Sequence, residues 1–200
     1  MKSDVQGVHI ALPQASVSGG LSLTEALKKR RSCREFSAAQ LSLDQIAQLC
    51  WAAQGVTHPE GYRTSPSAGA LYPLTLFVVD RHGVYEYRPR EHTLVRSAGT
   101  DLRKLLQRAA LDQECVADAA ACFVIAISVE HLAARYAERA EQFCLLEAGH
   151  VAQNLLLQAT SLGLAGVPVG AFRESQIDRI LRLPSSLRSV YLVPIGYPRN

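Results

Sequence analysis

The chain has 200 residues, and 48% of them are hydrophobic, which predicts a single domain with a substantial core. Lys and Arg number 21 against 18 Asp and Glu, and the net charge of +3 is too small and too scattered to favour a nucleic-acid partner. Residues 1–20 lack the features of a signal peptide, and no apolar run reaches the roughly 20 residues of a membrane span. The five cysteines have no paired spacing, which argues against disulfides and a zinc site. We therefore expect a cytoplasmic protein with no membrane partner.

The first 20 residues are rich in small and turn-forming types and are expected to form an arm, which leaves residues 21–200 as the single domain. A capping box at Ser22 and Glu25 then predicts a first helix that runs into a basic segment. Guanidinium groups match phosphate oxygens bidentately, so this segment is a candidate anion site, although a solvated basic helix end is an open alternative. The segment contains Arg30, Arg31, Ser32 and Arg34 and closes with Phe36, which we expect to be buried.

The remaining pattern predicts an α+β or mixed α/β class. We expect a second helix from Ser42 to about Gln54, strands at 75–80 and 84–87 with a short extended piece at 93–95, a helix capped by Thr100, and a buried strand at 120–128. A long helix at 131–162, a short helix at 175–183 and a strand at 190–195 complete the chain.

The long helix carries more leucine than one core face needs, which indicates burial by a second subunit. On the same helix, Glu138, Glu141 and Glu147 are expected to be solvated or capping charges, with an intersubunit contact as the alternative for Glu147. We expect His150 to be a buried, hydrogen-bonded structural residue.

Several catalytic signatures are absent from the sequence: a nucleotide-triphosphate loop, a nucleophile elbow, a dinucleotide fingerprint and a zinc-protease helix. Two stretches of small residues, 66–71 and 166–170, could line a planar ring through their backbone, while a phosphate could be held by Arg30, Ser32, Arg34 and Arg199. This combination fits a flat cofactor that bears a phosphate.

Four motifs in order carry a resemblance that covers residues 21–199: RRSCREF at 30–36, PSAGALYP at 66–73, EAGHVAQNL at 147–155 leading to GLAG at 163–166, and IGYPR at 195–199. The chain resembles the FMN-dependent nitroreductase family, and within it the branch of dehydrogenases that form thiazoles and oxazoles in peptides. The resemblance implies an α+β fold with a mainly antiparallel sheet flanked by helices, in an intertwined homodimer with FMN at the interface.

The resemblance also implies a set of cofactor-binding positions. The phosphate would be bound by Arg30, Ser32 and Arg34, with Arg31 nearby and Arg199 closing the site, while the partner subunit supplies a loop and a backbone strip lies beside the ring. The loop comprises Ser67, Ala68, Gly69 and Leu71, and the strip comprises Pro168, Val169 and Gly170. The flavin itself carries the redox chemistry, and Tyr72 is the candidate side chain for proton transfer, with packing under the ring as its alternative role.

The expected activity is hydride transfer between NADH or NADPH and a small electron-poor acceptor of the nitroaromatic or quinone type. Two alternatives stay open: a flavin-dependent dehydrogenase that oxidises a peptide or heterocycle with oxygen, and a flavin-binding protein without turnover.

Overall fold

The computed structural model describes residues 7–199. Its seven-stranded sheet has the order β1-β4-β3-β2-β5-β7-β6, and every neighbouring pair is antiparallel, which confirms the predicted fold class. The strands are β1 His9–Ala11, β2 Leu74–Asp80, β3 Gly83–Arg88, β4 Thr93–Ala98, β5 Ala121–Ile127, β6 Ala165–Gly166 and β7 Arg188–Gly196. The helices are α1 Leu23–Lys29, α2 Leu43–Gln54, α3 Arg103–Ala109, α4 Glu114–Asp118, α5 Val129–Tyr136, α6 Ala140–Ser161 and α7 Glu174–Leu181.

The core has two halves, one on each face of the sheet. On one face, α2 and α6 pack against alternate residues of β5 such as Phe123 and Ile125. On the other, α3, α4 and α7 cover the intervening residues such as Val124. Every residue of β5 is buried, so the prediction of a strand covered on both faces is confirmed.

Local signals place the first two helices correctly. Ser22 and Ser42 cap α1 and α2 through complete capping boxes, and α2 ends at Gln54 with Gly55 beyond it. The predicted cap of the third helix is wrong. Helix α3 begins at Arg103, and the backbone amide of that residue donates to the Asp101 carboxylate at 3.0 Å instead of reaching Thr100.

The predicted long helix is interrupted. A 3-10 turn at Ala137–Arg139 separates α5 from α6, and Ala137 has a φ of 45°. Hydrophobic periodicity continues across the break because both helices pack against the same core, and no Gly or Pro marks the turn. Gly149 lies within α6, on an exposed face where an added Cβ would meet nothing within 4 Å.

The described part of the expected arm, residues 7–20, lies on the chain's own domain. Strand β1 pairs with β4, Leu12 is part of the core, and the amide of Ser16 donates to Gln48 on α2 at 2.8 Å. Residues 1–6 of the expected arm lie outside the described residues. None of the helices described is both long and apolar enough to cross a membrane.

Candidate functional site

The basic segment leaves α1 in an extended conformation and lies between two other parts of the chain. On one side, the amide of Cys33 donates to the carbonyl of Gly166 at 3.1 Å. On the other, the amide of Ser37 donates to Tyr197 at 2.9 Å, and the amide of Arg199 donates to Glu35 at 3.0 Å. The backbone therefore brings together three stretches that are far apart in the sequence: 30–37, 165–170 and 196–199.

Phe36 anchors the place where the stretches 30–37, 165–170 and 196–199 meet, the arginine junction. Its ring is 1% exposed and packs in the half of the core that faces α3, α4 and α7. A Cβ added at Gly196 would lie 3.1 Å from a ring carbon of Phe36, a tighter contact than most side chains make, so glycine favours the close approach of the C-terminal stretch. The predicted burial of Phe36 is confirmed.

The cations at the junction differ in what they bind. Arg31 donates to the carbonyls of Lys28 and Arg30 at 2.9 and 2.7 Å, so its guanidinium group satisfies the end of α1. Among residues 7–199, no hydrogen bond or ion pair engages the guanidinium groups of Arg30, Arg34 or Arg199. Ser32, Arg34 and Arg199 are exposed and Arg30 is half-buried, so these donors remain available to an anion.

The strip at 166–170 is held against β7 at the end of the sheet. Val167 donates to Pro194 at 3.2 Å, and Val169 exchanges two hydrogen bonds with Leu192 at 2.8 and 3.0 Å. Pro168 is half-buried and Gly170 is exposed, while Val169 is buried. Pairing with β7 therefore fixes the backbone at 167–169, and the hydrogen bond from Cys33 to Gly166 connects this strip to the arginine junction.

The loop at 67–72 has an unusual backbone. Gly69, Ala70 and Tyr72 have φ values of 59°, 54° and 51°, and two of these residues carry a side chain that disfavours this region. The amide of Tyr72 donates to the hydroxyl of Ser67 at 2.9 Å, which closes the loop on itself. A Cβ on Gly69 would also lie 2.7 Å from a guanidinium nitrogen of Arg135 on α5.

Within one chain, the loop and the arginine junction are separate. Among the described residues, no hydrogen bond or strand pairing links 67–72 to 30–34 or to Arg199. The loop instead contacts α5, where a ring nitrogen of His131 lies 2.8 Å from the carbonyl oxygen of Leu71. That the loop serves a second subunit stays a prediction.

Tyr72 is held from two directions. Its hydroxyl oxygen accepts from the amide of Arg63 at 3.0 Å, and the Arg63 guanidinium lies 4.4 Å above its ring. Since the hydroxyl accepts this bond, its own proton remains free to be donated elsewhere.

Beneath this loop lies a polar cluster that the sequence did not predict. Glu147 is 2% exposed and Gln54 is 1% exposed, and the expectation that Glu147 is solvated is therefore wrong. Burial raises the pKa of Glu147 to about 7, against the opposing effects of the Ser67 hydroxyl, Gln54 and Arg63. A signal was present in the sequence, since Glu147 lies in helical register with the buried Cys144 and Val151.

The other expectations for the predicted long helix have mixed outcomes. Glu138 and Glu141 are exposed as expected, and Glu141 pairs with Arg188. His150 is exposed, so its predicted burial is wrong for the single chain.

A large groove lies elsewhere on the surface. It has a volume of about 690 Å³ and lies between the 14–21 segment and helices α1, α2 and α6. None of the residues predicted to bind a cofactor lines it, although Thr64 and Asn154 place it next to the loop that leads to Ser67.

Comparisons with known proteins identify the family. The profile of the nitroreductase family matches residues 27–197. MJ1384 of Methanocaldococcus jannaschii, a protein assigned to the nitroreductases, is 40% identical over 182 residues, which are 88% of this chain and 91% of that protein. The NADPH-flavin oxidoreductase of Vibrio harveyi is 32% identical over 114 residues, covering 53% of this chain and 48% of that enzyme.

Solved structures agree on the fold. A protein of Ralstonia eutropha assigned as a nitroreductase superposes with a TM-score of 0.88 at 28% identity, covering 96% of this chain and 90% of that one. The Escherichia coli microcin synthetase complex McbBCD, solved with truncated pro-MccB17 bound, contains a chain that matches with a TM-score of 0.77 at 23% identity, covering 94% and 77%. At that identity, the second likeness shows a shared fold alone.

Proposed function

The chain belongs to the nitroreductase family of flavin-dependent oxidoreductases, and from this premise we propose that it binds FMN and transfers hydride between NADH or NADPH and a small electron-poor acceptor such as a nitroaromatic or a quinone. One observation carries the proposal. Arg30, Arg34 and Arg199 have guanidinium groups without partners among the described residues, and backbone hydrogen bonds join the stretches that carry them to each other and to the strip that begins at Gly166.

The proposed phosphate site consists of Arg30, Ser32, Arg34 and Arg199. Charge-assisted hydrogen bonds from guanidinium to phosphate are among the stronger contacts in proteins. Arg31 differs because its donors are already bound to carbonyl groups, so we assign it the role of holding the end of α1 in place. Arg34 is also close enough to Cys115 to act on that thiol, whose pKa is raised mainly by burial and lowered by the arginine.

The proposed ring site pairs two stretches of backbone from different subunits. Pro168, Val169 and Gly170 would lie beside the ring, and the partner would supply its own copy of the loop at 67–71. When bound, FMN supplies the capacity to take up and release hydride. In that arrangement, Tyr72 would lie at the edge of the ring, where its free hydroxyl proton could be donated to a substrate.

A homodimer is part of this proposal. Leu145 and Leu146 on α6 are 47% and 54% exposed, and Gly149 next to them would allow a second helix to approach closely. The proposed compartment is the cytoplasm, which the five free cysteines support because thiols stay reduced there.

A second candidate is a dehydrogenase that oxidises a peptide or heterocycle with oxygen. The observation that favours it is the fold shared with a chain of the microcin synthetase complex. Flavin reduction by NADPH in anaerobic stopped flow separates the two functions. Rapid reduction supports the reductase, whereas bound flavin that is reduced only by a peptide or heterocyclic substrate supports the dehydrogenase.

Substitution tests the phosphate site. Two charge-assisted contacts at about 1.5–3 kcal/mol each predict that Arg30→Ala with Arg34→Ala weakens FMN binding about 10²–10⁴-fold. Lys28→Ala with Lys29→Ala, which removes the same charge from the exposed end of α1, is the matched control and should change binding far less. Fluorescence titration of apoprotein with FMN measures both. Equal affinity in the double arginine variant and the wild type would refute the assignment.

A further inference from the structure

A buried carboxyl group lies at one end of the series of contacts that holds Tyr72. Glu147 on α6 accepts from the side-chain amide of Gln54 at 3.5 Å. The oxygen of that amide accepts from Arg63 at 2.6 Å, and Arg63 in turn holds Tyr72 through its amide and its guanidinium group. A second route runs through Ser67, whose hydroxyl is close enough to lower the pKa of Glu147 but closes no hydrogen bond of normal length to it.

The polar cluster of Glu147, Gln54, Arg63 and Ser67 lacks some of the hydrogen bonds that its buried atoms could make. Two of its buried polar atoms, Oε2 of Glu147 and Nε of Arg63, have no hydrogen-bond partner among the described residues. A buried polar atom without a partner is uncommon and costs free energy, most of all when it carries charge. A neutral carboxyl group tolerates one unpaired oxygen much better than a carboxylate does.

The nearest cation does not neutralise Glu147 directly. No ion pair joins Arg63 to Glu147, because the guanidinium group is bound to Gln54 and stacked on Tyr72. An ionised Glu147 would attract that guanidinium away from the tyrosine ring and would draw water towards Oε2. The arrangement described is therefore the one that suits the neutral carboxyl group.

The other titratable groups near the cluster are few. On α6, Cys144 lies one turn before Glu147, and burial together with that carboxyl raises the pKa of its thiol to about 11. Tyr87 on β3 and Arg90 act on Arg63, while α2 presents only the neutral Gln54 to the carboxyl group. Glu141 and Arg188 form their own pair and act on Cys144.

We propose that Glu147 is a protonation-dependent positioning residue: its neutral form keeps Arg63 on Tyr72 and the loop at 67–72 closed, and its ionisation loosens the loop. The proposal rests on the proposed function in one respect, since that function assigns the loop to the flavin. It makes the presentation of Tyr72 and of the loop to the ring depend on pH near neutrality, without any contact between Glu147 and the ring.

Hydrogen exchange of the apoprotein tests this without flavin. If closing the loop buries the carboxyl group and opening hydrates it, the opening equilibrium should rise about tenfold between pH 6 and pH 8, since each pKa unit corresponds to a factor of ten. In wild type, exchange at 63–72 should accelerate by this factor after correction for intrinsic rates. In Glu147→Gln, the corrected rates should be independent of pH.

Glu141→Gln is the matched control, because it removes a carboxylate from the exposed face of the same helix and should behave like wild type. Corrected rates that are flat with pH in wild type, or equally pH-dependent in Glu147→Gln, would overturn the proposal. If Glu147→Gln does not fold, carboxyl ¹³C NMR of the wild type decides: a resonance assigned to Glu147 that titrates near neutrality supports the proposal, and one that titrates at the ordinary value of a glutamate contradicts it.

A second readout separates this proposal from the flavin assignment. Glu147→Gln should retain stoichiometric FMN, while the rate of flavin reduction by NADPH loses an inflection near pH 7 that the wild type shows. A protein that binds no FMN would refute the proposed function. The hydrogen-exchange experiment on the apoprotein would still test the role of Glu147 independently. Bound flavin with the same pH profile in both proteins would refute the positioning role alone.

Discussion

Replacing Glu147 by Gln should change how the stability of the protein depends on pH. The carboxyl group is 2% exposed, and burial raises its pKa from 4.5 to about 7. Between these values the unfolded chain releases a proton that the folded chain keeps, so this group lowers the free energy of unfolding as pH rises from 4.5 to 7. Below 4.5 and above 7 its contribution is constant.

The size of this change in the free energy of unfolding follows from the difference between the two pKa values of Glu147. A difference of about 2.5 units at about 1.4 kcal/mol per unit gives about 3 kcal/mol of stability that the wild type loses across this interval. Glu147→Gln lacks the titrating group. Its free energy of unfolding relative to wild type should therefore rise by about 3 kcal/mol between pH 4.5 and pH 7.5, whatever constant offset the amide introduces.

Urea denaturation at fixed protein concentration, repeated at half-unit steps of pH, measures this difference. Glu141→Gln removes an exposed carboxylate that pairs with Arg188, and its difference from wild type should stay within about 1 kcal/mol and nearly flat between pH 5.5 and 8. A flat difference for Glu147→Gln as well would show that the folded protein does not hold this group neutral, and the reasoning from burial would fail.

Three further substitutions test the local arguments. Phe36→Ala empties a fully buried site at the arginine junction and should cost about 3–5 kcal/mol in urea denaturation, and a loss below 1 kcal/mol would mean that the ring does not anchor it. Gly69→Ala places a Cβ at a φ of 59° and 2.7 Å from Arg135, so it should destabilise the protein by about 1 kcal/mol and weaken FMN binding, whereas unchanged affinity would argue against a role for this loop at the ring. Ser42→Ala removes the cap of α2 and should lower the free energy of unfolding by about 1 kcal/mol without affecting FMN affinity, and no measurable loss would show that the capping box is dispensable.

Most of the elements could be predicted from local chemistry. The serine caps of α1 and α2, the glycine after α2 and the continuous apolar run of β5 are signals that act over a few residues, and each gives the element that forms. The break between α5 and α6 gave no such signal, because periodicity reports which face is apolar and both helices turn the same face to the core.

At the candidate phosphate site, the residue types could be predicted from the sequence, but their proximity in space could not. Residue types identified Arg30, Arg34 and Arg199 as cations suited to phosphate, but their spacing says nothing of distance in space. The hydrogen bonds from Cys33 to Gly166 and from Arg199 to Glu35 bring the three stretches together. Hydrogen bonding also distinguishes Arg31, whose guanidinium group donates to carbonyl groups at the end of α1, from arginines that look identical in the sequence.

Glu147 shows most clearly what the sequence determines and what depends on the tertiary structure. By itself, the sequence determined that this residue lies in a helix, the position of most strands of the sheet and the chemical types available for binding, because these depend on neighbours along the chain. Whether Glu147 faces water or the core depends on Gln54 of α2, 93 positions away, and on the loop at 67–72, about 80 positions away. Only the tertiary structure decides that contact, and with it the environment that keeps a carboxyl group neutral beneath the loop.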